Sequence, residues 1–336
     1  MSLHPAFVSV LLNPAIDRVY EVDGFEAGAT LVAKKIHVYP VGKAISVSLG
    51  LAIHGEPVHV VALIGKNETD IYARFLDEKD ISSDLVPVDG PTRNNITIID
   101  VTGGTTTHLR EAGFTATDDQ LETLLARLPE PDPVSHPWLV CAGSIPPGLD
   151  ETAWSRVIKT AHDLGYPVSL DASGLGLKHA VQSEPPELLK INRVELEYLL
   201  GDRDDDVEQG EEKPRFTMEE GDNIIEAARR LLGDTLKTIV ITLGSQGAIA
   251  ATMTEAWHCI TKNVQVVNTV GAGDAFHAGF LHGLRIGTDL QSALQIASAT
   301  AAASIRQHCA GAFDHDAFID YMNHVEALPI VSNMEG

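Results

Sequence analysis

Short apolar runs alternate along this chain with longer segments of helical spacing, and polar or glycine-rich turns separate the two. Phe7 to Leu12, Val58 to Ile64, Trp138 to Cys141, 167–171 and 237–242 are short, mostly apolar and bounded by turn residues, which predicts buried strands. The stretches 44–52, 115–128, 151–164, 219–232, 274–285 and 289–305 carry the wider periodicity of amphipathic or small-residue helices. Strand followed by helix, repeated, predicts an α/β fold whose parallel sheet is joined by crossover helices. A second rhythm interrupts the first. The segments 18–22, 31–38, 96–100 and 104–110 alternate at short range around Gly24 and Gly28, and predict small antiparallel strands outside the main sheet. They would form a discontinuous β lid at about 18–41 and 91–112. Near the C-terminal end, Val266 and Val267 read as a further strand delivering the turn Gly271-Ala272-Gly273 to a helix start.

Composition narrows the function classes. With 336 residues, 44% of them hydrophobic, and no long uncharged apolar stretch, the chain can bury a large core without a membrane anchor. Met1 is not followed by a basic region and an extended apolar segment, so the expected location is the cytoplasm. Acidic residues number 47 against 24 basic ones, a net charge of -23 that disfavours nucleic acid and anionic membranes as partners. A dense acidic patch at about 201–220 reads as a solvated surface insertion. Cys141, Cys259 and Cys309 form no CxxC site, and His277, His282 and His308 show no metal-ligand spacing, so structural or surface roles are expected of them.

In so acidic a chain, polar groups at strand ends and helix starts become informative. The turn at 271–273 would expose backbone N–H groups to an anion, and Asp274 beside it would either cap the helix or accept a proton from an attacking hydroxyl. Asp17 lies just beyond the first strand, at the rim where open α/β sheets bind ligands. Lys43 sits at a helix start, where its charge opposes the helix dipole and suggests a compensating ligand anion. Arg93 offers a planar fork suited to phosphate or to a surface salt bridge. Ser144 follows a strand in the turn Gly143 to Gly148, within reach of a sugar hydroxyl or serving the turn alone. Asn192 and Glu195, three apart, suit either a capping box or Mg²⁺. Thr242, Gly244 and Gly247 fit a phosphate loop as well as they fit a hairpin turn.

Taken together and in order, Asn13-Pro14-Ala15-Ile16-Asp17, Thr92-Arg93-Asn94-Asn95, Ala142 to Gly148, Asn192-Arg193-Val194-Glu195, Thr242 to Gly247 and Asn268 to Phe276 resemble the ribokinase-like carbohydrate kinases. The similarity is greatest to their branch of 1-phosphofructokinases and tagatose-6-phosphate kinases, and it covers nearly the whole chain. It implies a single domain over 1–336, a three-layer α/β/α core with a mainly parallel central sheet, and a small β lid. It implies Asp274 as catalytic base, the Gly271, Ala272 and Gly273 backbone as anion hole, and ATP with Mg²⁺ as cofactors. Asn192 and Glu195 would hold the metal through water, while Thr242, Gly244 and Gly247 would cradle the nucleotide phosphates. Asp17 and Ser144 would bind sugar hydroxyls, and Lys43 and Arg93 would neutralise phosphate. A lid-mediated homodimer is also implied.

The acceptor side departs from the family pattern. Gly-Gly-Lys-Gly-x-Asn appears here as Val41 to Ser46, with Ser46 at the substrate-binding asparagine, and Thr97 stands where the hexose-phosphate branch commonly has lysine. The expected reaction is transfer of the γ-phosphoryl group to a phosphorylated ketohexose of the fructose 1-phosphate or tagatose 6-phosphate type. An unphosphorylated sugar or nucleoside acceptor, or a non-catalytic binding protein on the same fold, are the alternatives.

Overall fold

The computed structural model describes residues 4–202, 217–262, 264, 266 and 268–330. Its strands are β1 (Phe7–Leu11), β2 (Ala15–Val22), β3 (Lys35–Val41), β4 (Val58–Gly65), β5 (Ser82–Val88), β6 (Arg93–Asp100), β7 (Thr105–Arg110), β8 (Trp138–Ala142), β9 (Val168–Asp171), β10 (Leu188–Asn192), β11 (Thr238–Thr242), β12 (Ala248–Ala251), β13 (Ala256–Thr261) and β14 (Val325–Pro329). The helices are α1 (Lys43–Ile53), α2 (Thr69–Asp77), α3 (Asp118–Leu125), α4 (Ala153–Leu164), α5 (Gly174–Ser183), α6 (Arg193–Leu200), α7 (Met218–Arg229), α8 (Ala272–Arg285), α9 (Leu290–Ser304) and α10 (His315–Met322).

Ten strands form the central sheet in the order β14-β13-β12-β11-β10-β9-β8-β1-β4-β5. From β5 across to β11 every neighbour is parallel, while β12, β13 and β14 close the far edge antiparallel. Strand alternation sends side chains to two separate cores. Val8 and Val10 of β1 face Leu121, Trp154, Ile158, Leu177, Leu196 and Ile225 from helices α3 to α7. Phe7 and Leu11 face the other way, toward Ile45, Tyr72, Phe280 and Leu294 from α1, α2, α8 and α9. This is the three-layer arrangement that the family resemblance implies, built on the parallel sheet that the alternating pattern predicts. Within the second layer α8 lies close along α9, with Gly279 and Gly283 against Ala297 and Ala293. No helix among the described residues is long and apolar enough to cross a membrane.

The lid is a four-stranded sheet ordered β3-β2-β6-β7. Its composition matches the expectation, but its pairing does not, because β2 and β6 run parallel. The reason is topological: β2 and β6 each leave the central sheet in the same direction, with β3, α1, β4, α2 and β5 between them. Fully buried Tyr72 fixes the base of the lid to the core, its hydroxyl lying 2.6 Å from the Ala15 carbonyl oxygen and 2.9 Å from that of Val41. Those two residues are register partners at the root of β2 and β3.

Two further differences have local causes. Edge strand β5 escapes the hydrophobic pattern because Ser82, Ser83, Asp84 and Pro87 dilute it, and only Val86 and Val88 are buried. The other lies at Val266, where a strand is expected. Val264 and Val266 lie outside any strand, Val266 is exposed, and the Asn268 amide donates to the Ile305 carbonyl, drawing this segment to the end of α9. Val267 and most of the acidic insertion, 203–216, lie outside the described residues; Asp202 is exposed.

Candidate active site

Parallel strands bring their carboxyl ends to one edge, where connecting turns can meet. Here that edge gathers Asp171 at the end of β9, Asn192 at the end of β10 and Thr242 at the end of β11, with Asn192 and Thr242 in direct register. The Gly143-Ser144 turn leaves β8 on the same rim, and the Asn13 amide donates to Ser144 Oγ at 3.0 Å. From the opposite side come the first residue of α1, Lys43, and the first turn of α8 with Asp274.

The centre of the site is Asp171, which is fully buried. Lys43 Nζ donates to Oδ1 at 2.5 Å and Lys190 Nζ donates to Oδ2 at 2.8 Å. Burial alone would raise the pKa of Asp171, but Lys190, Lys43 and the neighbouring His277 together hold it well below the ordinary carboxylate range. For Lys43, burial works against the charge and Asp171, Asp274 and Glu195 outweigh it, holding the ammonium above its ordinary value. The dipole conflict at the start of α1 is therefore relieved within the protein by Asp171, whereas the sequence suggested a ligand anion. Asp171 and Lys190 were not singled out by sequence reasoning. The available signal was a carboxylate ending a parallel strand and a lysine inside an otherwise apolar one. His277, likewise buried, has its Nε2 2.5 Å from Ser169 Oγ, and burial pushes its pKa down to about 3.

Asp274 retains 8% exposure and accepts no capping bond; Gly271, in the left-handed region at φ 82°, is the N-cap of α8. A side chain at Gly271 would meet Ala310 Cβ at 2.5 Å, so conformation and space both require glycine. Of the expected anion hole, the amides of Gly271 and Gly273 have no backbone acceptor among the described residues, and neither has that of Asp274, whereas the Ala272 amide donates to the Thr269 carbonyl at 3.2 Å and so drops out of the set. Lys190 Nζ lies 3.0 Å from where a Cβ on Gly273 would stand. Burial raises Asp274, Lys43 and Lys190 oppose the shift, Asp171 and Asp17 add to it, and the carboxyl is pushed up to about 7.

Asn192 and Glu195 form a reciprocal capping box: Asn192 Oδ1 accepts from the Glu195 amide at 2.9 Å, and Glu195 Oε2 accepts from the Asn192 amide at 2.7 Å. The box uses one carboxylate oxygen. Burial raises the Glu195 pKa against the pull of Lys43 and Lys190, with Asp171 adding to the rise, and its other oxygen is left outside the box. The oxygen-rich set of Glu195, Asn192 and neighbouring carboxylates suits Mg²⁺ chemically. Thr242 Oγ donates to the Ile191 carbonyl at 3.4 Å, and Gly244 begins a 3₁₀ turn of Gly244–Gln246. Gly247 is required by the hairpin itself, since a Cβ there would approach the Cys259 carbonyl oxygen to 1.9 Å.

At the base of the lid, Asp17 accepts from Asn95 Nδ2 at 3.0 Å, and burial raises its pKa against the pull of Arg93 and Arg110. Arg93 donates to the carbonyls of Pro14 at 3.2 Å and Asn13 at 3.3 Å. Burial depresses its pKa and the like charge of Arg110 does so further. Arg110, at the end of β7, is a second cation that sequence reasoning missed. Ser46 is buried in α1, its carbonyl facing Gly311, and Thr97 Oγ lies 3.2 Å from His108 Nδ1. Thus Lys43, Glu195 and Asp274 share one charge cluster, Asp17 and Arg93 a second beside it, and Ser46 is packed away beneath them.

Comparison with known proteins gives a family model, described as pfkB family carbohydrate kinase, that matches residues 10–316. The 1-phosphofructokinase of Rhodobacter capsulatus is 30% identical over 299 residues, 89% of each chain. That of Escherichia coli strain K12 is 29% identical over 331 residues, 96% of this chain and 97% of the relative. Among solved structures, phosphofructokinase-2 from Escherichia coli superposes with a TM-score of 0.83 at 21% identity, covering 95% of this chain and 98% of that one. Ribokinase from Thermotoga maritima gives 0.70 at 22% identity, covering 95% and 99%. At these identities the superpositions speak to the fold.

The Asp274 carboxyl yields a stability prediction. Its folded pKa of about 7 lies above the ordinary value, so the folded state holds a proton that the unfolded chain has released, and ionisation costs stability as pH rises through this window. Urea unfolding of ligand-free Asp274→Asn should therefore match wild type near the acidic end. It should exceed wild type by roughly 2–4 kcal/mol above pH 7. A difference independent of pH would contradict the assigned shift.

Proposed function

The chain belongs to the pfkB family of carbohydrate kinases, and on that premise we propose that it transfers the γ-phosphoryl group of ATP to a hydroxyl of a phosphorylated ketohexose of the fructose 1-phosphate or tagatose 6-phosphate type. The relatives named 1-phosphofructokinase favour this acceptor class. The observation that carries it is the pair Arg93 and Arg110 beside Asp17. Arg110 adds to the burial that depresses the pKa of Arg93 here, and Asp17 is a carboxylate on which both guanidinium groups act. A phosphate on the acceptor would relieve that repulsion, whereas a neutral sugar would leave it in place.

Asp274 accepts the proton from the attacking hydroxyl. A base that titrates near 7 is ionised in a useful fraction at neutral pH yet basic enough to take a proton. The free amides of Gly273 and Asp274, together with Lys43 and Lys190, face the charge that develops on the transferring group. Asn192 and Glu195 would hold Mg²⁺ through its waters, and the ion would supply further neutralisation of the phosphates. Thr242 and the turn from Gly244 to Gly247 flank the nucleotide phosphates. Asp17 and Ser144 orient the sugar. The lid, rooted at Tyr72, excludes water so that sugar is the acceptor.

The outer face of the lid aligns Val38, Arg18, Ile96 and Leu109 in one row and Ile36, Tyr20, Ile98 and Thr107 in the next. Ile36, Val38 and Leu109 are exposed, which supports a homodimer formed through this face.

Product formation with Mg²⁺-ATP across fructose 1-phosphate, tagatose 6-phosphate, fructose 6-phosphate, ribose and nucleosides tests the acceptor. A phosphorylated ketohexose should give the highest kcat/KM, and Asp274→Asn should lower kcat by about 10²–10⁴ while ADP and sugar phosphate still bind. A preference for an unphosphorylated acceptor would refute the acceptor class, and near-full turnover in the variant would remove the base assignment. In sedimentation velocity, wild type should run as a dimer and Ile36→Asp as a monomer; a monomeric wild type would exclude the lid interface.

A further inference from the structure

Away from the phosphoryl-transfer centre, two lid residues and one body residue place three metal-binding side chains together. Glu21 on β2 pairs with Lys35 on β3, so His37 is its diagonal neighbour on the same sheet face. His308 comes from the turn following α9 and stacks on His37, with ring centroids 4.8 Å apart and planes 12° from parallel. Glu21 Oε1 lies 3.8 Å from His37 Nε2 and 3.8 Å from His308 Nε2. Both separations are too long for hydrogen bonds. His37 Nε2 and His308 Nδ1 are buried atoms without a hydrogen-bond partner among the described residues. Lys35 reaches the other oxygen, with Nζ 3.3 Å from Oε2, and leaves Oε1 facing the two rings.

One donor atom from each of the three residues falls within 4.8 Å of the others. Ligands bound to Zn²⁺ at its usual bond lengths of about 2.0–2.1 Å stand roughly 3.4 Å apart in a tetrahedral site. Small side-chain rotations therefore close the set. Two imidazoles and a carboxylate suit a borderline divalent ion such as Zn²⁺ and disfavour Mg²⁺, which prefers oxygen. Each histidine keeps 30% side-chain exposure and Glu21 keeps 14%, which gives an ion a path in and leaves room for a water as fourth ligand.

We propose that Glu21, His37 and His308 form a Zn²⁺ site that fastens the lid to the body. The body side of the clamp is well placed to matter. His308 is two residues from Ala310, which packs against Gly271 at the start of α8, and the adjoining Gly311 packs against Ser46 of α1. An ion held here restrains β2 and β3 against the turn that supports the anion-binding helix start. Sequence spacing conceals the site because its ligands are 16 and 271 residues apart along the chain. The inference is independent of the acceptor and of the roles assigned to Asp274 and Asp171.

The test is calorimetric titration of Zn²⁺ into chelator-treated full-length protein, wild type and the variants Glu21→Gln, His37→Gln and His308→Gln. Wild type should show a site that each variant weakens by at least roughly tenfold, while unfolding temperatures without metal stay equal. Hydrogen exchange in 35–41 should slow on adding Zn²⁺ to wild type and remain unchanged in His308→Gln. Should a variant fail to fold, Co²⁺ added to wild type provides the second reading, through the intense visible bands of a four-coordinate site. Absence of Zn²⁺ binding by wild type, equal affinity in folded variants, or Co²⁺ bands of octahedral intensity only would each overturn the proposal.

Discussion

Asp171 is a carboxylate without solvent, and it exists as an anion because two ammonium groups reach it from different parts of the fold. Removing either partner would leave charge buried and uncompensated, which costs several kcal/mol in typical proteins. The contact joins the end of β9, the start of α1 and the interior of β10. It also fixes where the positive charge of Lys43 and Lys190 lies. Asp274 is then poised between them and the carboxylates, and its proton affinity is a property of the whole cluster. The helix start at 271–274 supplies donors, but the Asp171 triad sets the electrostatics in which they act.

The architecture explains how these groups can meet. A parallel sheet points β8, β9, β10 and β11 to one rim, and α1 and α8 approach that rim from the same covering layer. The lid is tethered at its root by Tyr72 and continues the site beyond the sheet through Asp17, Arg93 and Arg110. Under the proposed reaction, rigid strand ends would carry the donor side, while a separate four-stranded sheet would carry much of the acceptor side.

Much of the fold was legible because its signals are local. The apolar runs of β1, β4, β8 and β11 and the small-residue helices α8 and α9 announce themselves by composition and period. The β5 edge was not, since one exposed face dilutes its pattern, and the parallel pairing of β2 with β6 depends on a connection through the core. The same contrast holds in the site. Asn192 and Glu195 were readable as a capping box because the bonds span three residues. Lys43 stands out by its clash with the helix dipole, but its partner Asp171 is 128 residues away. Arg110 and the Glu21, His37 and His308 cluster depend likewise on strand register and a distant turn, which no linear spacing displays.

The dependence of Asp274 on the Asp171 triad can be measured through the acidic limb of kcat/KM, which reports the ionisation of a base in the free enzyme. Lys190 lowers the Asp274 pKa from its burial-raised position, so replacing it with an uncharged side chain of similar length should raise that pKa further. In Lys190→Met the acidic limb should move to higher pH than in wild type, where it should lie at about 7. A limb that stays in place, or moves down, would contradict the account that this buried cluster governs the base.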